Sequence, residues 1–196
     1  MTAWRALTLK QPWPWALCHA GMDVLNMRRE FTGVIGERIG IHAGKQWDGS
    51  AICWPATAPD PYETDINGNG TTRGVMGIAG GANQFQPFGA VVAVAIITGQ
   101  HRCRIWFDSL GVGFYACDTT RSEAIGARHL LNHNRDLELT CSPWAIPPVN
   151  AGYPHKPMWH WEIADVRPLT EPVPAKGRRG LWIPDAELVE AVEGQI

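Results

Sequence analysis

The chain has 196 residues, a formal net charge of −2, 45% hydrophobic residues and 18% charged ones. That is enough apolar material for the core of one domain, with less charge than a soluble domain usually carries. The near-neutral balance excludes a protein that lives on non-specific phosphate contacts, so a nucleic-acid role needs a local patch or a base pocket; no apolar run approaches the roughly 18 residues of a membrane span.

In chain order, residues 6–9 read as a short strand. Pro12 suits a first helical turn, where its missing N–H would have no partner. Trp13, Leu17 and Ala20 recur at helical spacing, and Gly21 fits the left-handed residue that closes a helix. Residues 24–28 read as extended, with Asn26 and Arg28 on one face and Leu25 and Met27 on the other. A continued helix is the competing reading, because Val24 and Met27 also extend the apolar stripe. Residues 37–43 alternate as a half-buried strand, Ile39, Ile41 and Ala43 facing one way and Arg38, Gly40 and His42 the other. Residues 46–86 hold WDGS, TAPDP, NGNG and IAGG, all turn chemistry, and read as a loop-rich surface insertion.

The run GAVVAVAIIT at 89–98 fits a strand buried on both faces. Residues 101–115 read as irregular and aromatic. Thr120 and Glu123 frame a capping box that opens a helix to about Asn132, and 142–157 is a proline-rich loop. From 159 to 165 alternation returns, with Trp159, Trp161 and Ile163 toward the core and His160 and Glu162 away from it. An extended crossing at 168–174, a basic turn at 176–179, a last strand at 181–183 and a helix at 185–192 complete the chain. No internal repeat and no linker marks a second domain. The pattern is α+β with a strand-rich core.

Three blocks fall in order along this pattern: LTLKQPWPWALCHAGMDVLNMR at 7–28, GERIGIHAGK at 36–45 and WHWEIADVRPLTEPVPAKGRRGLW at 159–182. Together the chain resembles an ASCH domain, a module of the PUA-like superfamily. The match lies in Gln11-Pro12-Trp13, in Ile41-His42-Ala43-Gly44-Lys45, in His160-Trp161 and in Lys176 through Trp182. The resemblance implies a small PUA-like β-barrel with flanking helices, one domain over 1–196 with insertions at about 46–86 and 101–157. It also implies a module that binds RNA, single-stranded DNA or a flipped or modified base; a cytoplasmic location is expected from the cysteines, read as reduced thiols, and not from the family. The chain departs from the family's G-x-K-x-x-E-x-R motif, which here reads Gly21-Met-Asp-Val-Leu-Asn-Met-Arg28: Asp23 replaces the lysine and Asn26 the glutamate. Some relatives hydrolyse acylated cytidines with that lysine, which can act as a base when its pKa is lowered. The alternative reading is therefore a hydrolase of an N4-acylcytidine-type nucleoside, or a ribonuclease, with Lys10, Lys45 or Asp23 left to do the chemistry.

The candidate base-binding residues are Gln11, Trp13, Asn26, Arg28, Lys45, Trp144 and Arg178. An arginine fork such as that of Arg28 holds a phosphate or a guanine edge through two hydrogen bonds; its competing role is an ion pair with Glu30 or Glu37. Lys45, Lys176, Arg178 and Arg179 would supply salt-sensitive attraction. Trp13, Trp15 or Trp144 would stack a base, against core packing as the alternative. His160 and Glu162 share a strand face as a weak acid–base pair, and His42 either lines the ligand cleft expected between the barrel and the helix starting near Pro12 or is a buried histidine satisfied by backbone. The five cysteines, Cys18, Cys53, Cys103, Cys117 and Cys141, are odd in number and irregularly spaced, which suits reduced thiols. His101, Cys103, Cys117 and Cys141 offer four N/S donors but not the tight pairs of structural zinc. They read as buried free thiols, and neither metal nor cofactor is expected.

Overall fold

The computed structural model describes residues 4–33, 35–48, 88–107, 113–118, 141–142, 144–145 and 157–196. Most of the 46–86 insertion, the expected 120–132 helix and most of the 142–157 loop lie outside the described residues. The elements are β1 (Arg5–Gln11), α1 (Trp13–His19), β2 (Val24–Met27), β3 (Arg38–Trp47), β4 (Ala90–Phe107), β5 (Gly113–Cys117), β6 (Met158–Pro174), β7 (Leu181–Trp182) and α2 (Ala186–Glu193). The strands hydrogen-bond in the order β2-β6-β4-β3-β1-β7, with β5 added to β4. This is the α+β, strand-rich class expected from the sequence. None of the helices described is long and apolar enough to cross a membrane.

The chain forms two compact units. The first comprises 1–22, 38–96 and 165–196, the second 23–37 and 97–164, so the long strands β4 and β6 each belong in part to both.

In the first unit, β1 pairs in parallel with β3 (Leu7 beside Ile41) and antiparallel with β7 (Ala6 beside Trp182). β3 pairs antiparallel with the first part of β4, Ile39 beside Ala95. Ala6, Val91, Val94, Leu169, Trp182, Leu188 and Val192 form its core. Helix α1 begins at Trp13, with Pro14 rather than Pro12 in its first turn, where a missing N–H costs no hydrogen bond; the Gln11–Pro12 bond is cis. Gly21, at φ +68, ends the helical turn as expected. Helix α2 is capped by Asp185, whose Oδ1 accepts from the Leu188 N–H at 2.9 Å.

Strand β3 corrects the expectation of a half-buried strand, for every residue from Ile39 to Gly44 is buried. Its second face carries small residues and a histidine, and other groups close over them: the Trp4 ring lies against Gly40, the Leu9 backbone against Gly44, and Gly177 against His42.

In the second unit, β2 pairs antiparallel with the first part of β6, Leu25 beside Trp161. The extended reading of 24–28 thus holds for 24–27. The apolar run at 89–98 is the buried strand expected, yet β4 continues through Phe107 and pairs with β5, Cys103 beside Cys117. Residues 101–107 and 113–117 are therefore regular strand, not irregular. Their period of two was obscured because the inward residues, His101 and Cys103, are not conventional core residues, while Arg102 and Arg104 point out. On β6, Trp161 is buried as expected and donates Nε1–H to the Arg29 carbonyl at 3.0 Å. His160 is the correction. It is 0% exposed, whereas Trp159 is half-exposed beneath the Arg102 guanidinium, 4.5 Å from its ring.

Candidate ligand-binding pocket

A cavity of about 660 Å³ opens in the first unit, lined by Thr8 of β1, His42 and Lys45 of β3, Phe88, Gly89, and the 174–177 stretch with Lys176. Lys45 and Lys176 are exposed, and Phe88 is 37% exposed. Gly89 takes φ +70, and a side chain there would meet Lys45 Cε at 3.2 Å. The floor is His42. Its Nε2 lies 3.1 Å from the Ala175 carbonyl, its ring meets Trp182 edge-on at 6.0 Å, and its Nδ1 is buried without a hydrogen-bond partner among the described residues. Burial pushes the His42 pKa below its ordinary value, against a smaller upward pull from the Ala175 carbonyl. The ring is therefore neutral near pH 7, and Nε2–H donates to that carbonyl. A neighbouring cavity of about 550 Å³ shares Lys176 and Gly177 and adds Arg178, Asp185 and Glu187.

Of the residues singled out in the sequence, Lys45 lines the first cavity and Arg178 the second. Lys10 is exposed on β1 and lines neither. Gln11 is 1% exposed; its carbonyl accepts from Asp48 N–H at 2.7 Å, while its Oε1 is buried without a partner among the described residues. Trp13 is half-buried and donates Nε1–H to Asp48 Oδ2 at 3.0 Å. Trp15 packs against His19 at 5.8 Å within α1.

The second unit holds the others. Asp23 accepts from Ser142 Oγ–H at 2.5 Å, Ser142 Oγ accepts from Trp144 N–H at 3.0 Å, and Asn26 Nδ2 donates to the Trp144 carbonyl at 2.8 Å. Asp23 and Asn26 thus fasten Ser142 and Trp144 to β2 and the residue before it. Trp144 is 4% exposed, so its ring is packed, not open for stacking. Arg28 is exposed just after β2.

The same unit gathers a group of which the sequence had named three members. One donor atom from each of His101, Cys117, Cys141 and His160 lies within 4.8 Å of the others. His160 Nδ1 sits 3.2 Å from Cys117 Sγ and 3.4 Å from Cys141 Sγ, and the two imidazoles meet edge-on at 5.4 Å. His101 Nδ1 is bound to Glu162 Oε1 at 2.8 Å. His160 and Glu162 therefore do not form an acid–base pair with each other. Contacts with Cys103 and Cys141, then with the two histidines, hold the Cys117 thiol far below its ordinary pKa, while Cys117 and burial push Cys141 up. His101, Cys117 and Cys141 were among the four N/S donors named from the sequence, with Cys103 in the place that His160 takes; His160 was hidden between two tryptophans.

An α+β protein with a basic-rimmed cavity and a separate histidine–cysteine cluster is thus defined. No protein-family model matches the sequence, and no curated protein does. Among solved structures the chain is similar to an ASCH protein from Zymomonas mobilis, at 9% identity and TM-score 0.48 over 98% of this chain and 94% of that one. Two variants of that protein are also similar. A serine-to-alanine form gives 11% identity and TM-score 0.49, covering 98% of this chain and 96% of that one. A tyrosine-to-phenylalanine form gives 11% identity and TM-score 0.48, covering 98% and 97%. The solved structures so found are of the family that the three sequence blocks resemble.

Proposed function

We propose that the cavity bounded by Thr8, His42, Lys45, Phe88 and Lys176 takes one nucleotide of single-stranded RNA or DNA, or a modified nucleoside. The observation that carries this reading is two exposed lysines and an exposed phenylalanine around one cavity of about 660 Å³, a size in the range of small-molecule sites. The lysines supply attraction to phosphate, and Phe88 offers an aromatic face for a base. Buried, neutral His42 forms part of the wall without adding charge. Since the net charge of the whole chain is −2, the attraction is local, which favours a short ligand over a long phosphate track.

The test is fluorescence anisotropy of labelled single-stranded RNA, single-stranded DNA and duplex DNA across a salt series. Lys45→Ala and Lys176→Ala should each weaken binding and flatten the slope of log K against log salt by about 0.7 for a single strand. Phe88→Ala should cost about 1–3 kcal/mol with the salt slope unchanged. Absence of saturable binding at low salt rejects the reading. The hydrolase alternative rests on Lys45, since Lys10 and Asp23 do not line the cavity. Turnover of an N4-acylcytidine, abolished by Lys45→Ala, would move the assignment from binding to catalysis.

A further inference from the structure

We propose that the second unit binds one Zn²⁺ through His101 Nε2, Cys117 Sγ, Cys141 Sγ and His160 Nδ1, as a closed structural site. Four donors from four separate chain segments converge here: β4, β5, the 141–142 segment and β6. With Zn–S near 2.3 Å and Zn–N near 2.0–2.1 Å, a tetrahedral site has N···S edges of about 3.6 Å. The observed 3.2 and 3.4 Å between His160 Nδ1 and the two sulfurs are close to that edge.

His101 gives the most specific argument. Its Nδ1 is committed to Glu162 Oε1 at 2.8 Å, and its side chain is 6% exposed. Its Nε2 is buried with no hydrogen-bond partner at ordinary distance among the described residues, and the group it faces is the Cys117 thiol, an expensive arrangement for a polar atom without a role. A carboxylate on one imidazole nitrogen and a metal on the other is how metal-ligating histidines are usually oriented. Here the carboxylate has dedicated room: any side chain at Gly99 would meet Glu162 Oε2 at 2.5 Å. The charge also balances. Two thiolates and two neutral imidazoles around Zn²⁺ make a neutral complex, suited to a site whose histidines are nearly inaccessible. Binding displaces to solvent any proton still on a sulfur and involves no redox change. Two cysteines and two histidines leave no open coordination position, so the ion would hold strands together and not act on a substrate. Cys103 is buried opposite Cys117 but stands outside the four.

The experiment is metal analysis of the full chain purified under reducing conditions, followed by exchange of the ion for Co²⁺. One equivalent of zinc per chain is expected, with visible d–d bands of tetrahedral Co²⁺ and a thiolate-to-cobalt charge-transfer band. Cys117→Ser, Cys141→Ser and His160→Ala should lose the stoichiometric metal, whereas Cys18→Ser, in α1 of the other unit, should keep it. Should those ligand variants fail to fold, Glu162→Gln serves as the second test. Its side chain is 43% exposed, so the chain should fold, with zinc affinity weaker by about 10–100-fold in a chelator competition. Folded protein with no stoichiometric zinc and no cobalt bands would overturn the proposal. So would a Cys117–Cys141 disulfide in the purified chain, or metal lost from Cys103→Ser but kept in Cys141→Ser.

Discussion

Gly177 and His42 show how much depends on single positions that the sequence leaves mute. A Cβ at Gly177 would run into the His42 imidazole, which is held by the Ala175 carbonyl and the Trp182 edge and cannot swing aside cheaply. Gly177→Ala is expected to cost about 1–3 kcal/mol, the usual range for overpacking, read from the midpoint of urea unfolding. His42 also ties stability to pH. Its folded pKa lies below the ordinary histidine value because of burial. As pH falls, the unfolded chain takes up this proton first, near pH ~6.5, while the folded chain does not. Stability contributed here is therefore complete above that pH and declines below it, until the folded pKa is reached. The urea midpoint should drop from about pH 7.5 to about pH 5.5 more steeply in the parent than in His42→Gln. At this scale the sequence was partly legible. IHAGK marked Lys45 and His42 as neighbours on one strand, but nothing in it said that Gly177 would lie on His42, because what packs on a glycine is decided by distant chain.

Strands and helices were easier to read than their ends. The 89–98 run stood out because both faces of that strand are apolar, and Asp185 marked the start of α2 because it is a good cap. The continuation of β4 to Phe107 was missed because its inward positions are His101 and Cys103. A hydrophobic count reads such a stretch as irregular even though its backbone pairs regularly with β5. On β6 the expectation failed at His160 for the same reason: a polar ring was assumed to face water, yet it is buried among sulfurs. Helix α2 offers a clean measurement. Its Leu188 and Val192 join the core of the first unit, so fraying of the first turn should be felt beyond the helix. Asp185→Ala should lower stability by about 1 kcal/mol, seen as a fall in Tm with the far-ultraviolet spectrum of the folded state unchanged.

Taken whole, the chain keeps its charged cavity and its histidine–cysteine cluster in different compact units, so variants of one can be compared with variants of the other. Composition had indicated no basic face, and Lys45 and Lys176 lie exposed beside one cavity. The cluster was legible only in part, with His160 missed, because its four donors are scattered from residue 101 to residue 160 and the pairing of β4 with β5 and the path of β6 bring them together. One consequence of the strand order concerns biosynthesis. β1 is flanked on one side by β3 and on the other by β7, and the Trp182 indole donates to Thr8 Oγ1 across a sequence separation of 174 residues. At the usual rate of about 5–20 residues per second, a ribosome needs on the order of 10–35 seconds to make that intervening stretch. During that interval one edge of β1 stands uncovered, an open edge of the kind that invites pairing with other chains. A strand made well before its partner is among the last to be completed, which makes chaperone cover during synthesis matter more for this topology than for one built from near neighbours.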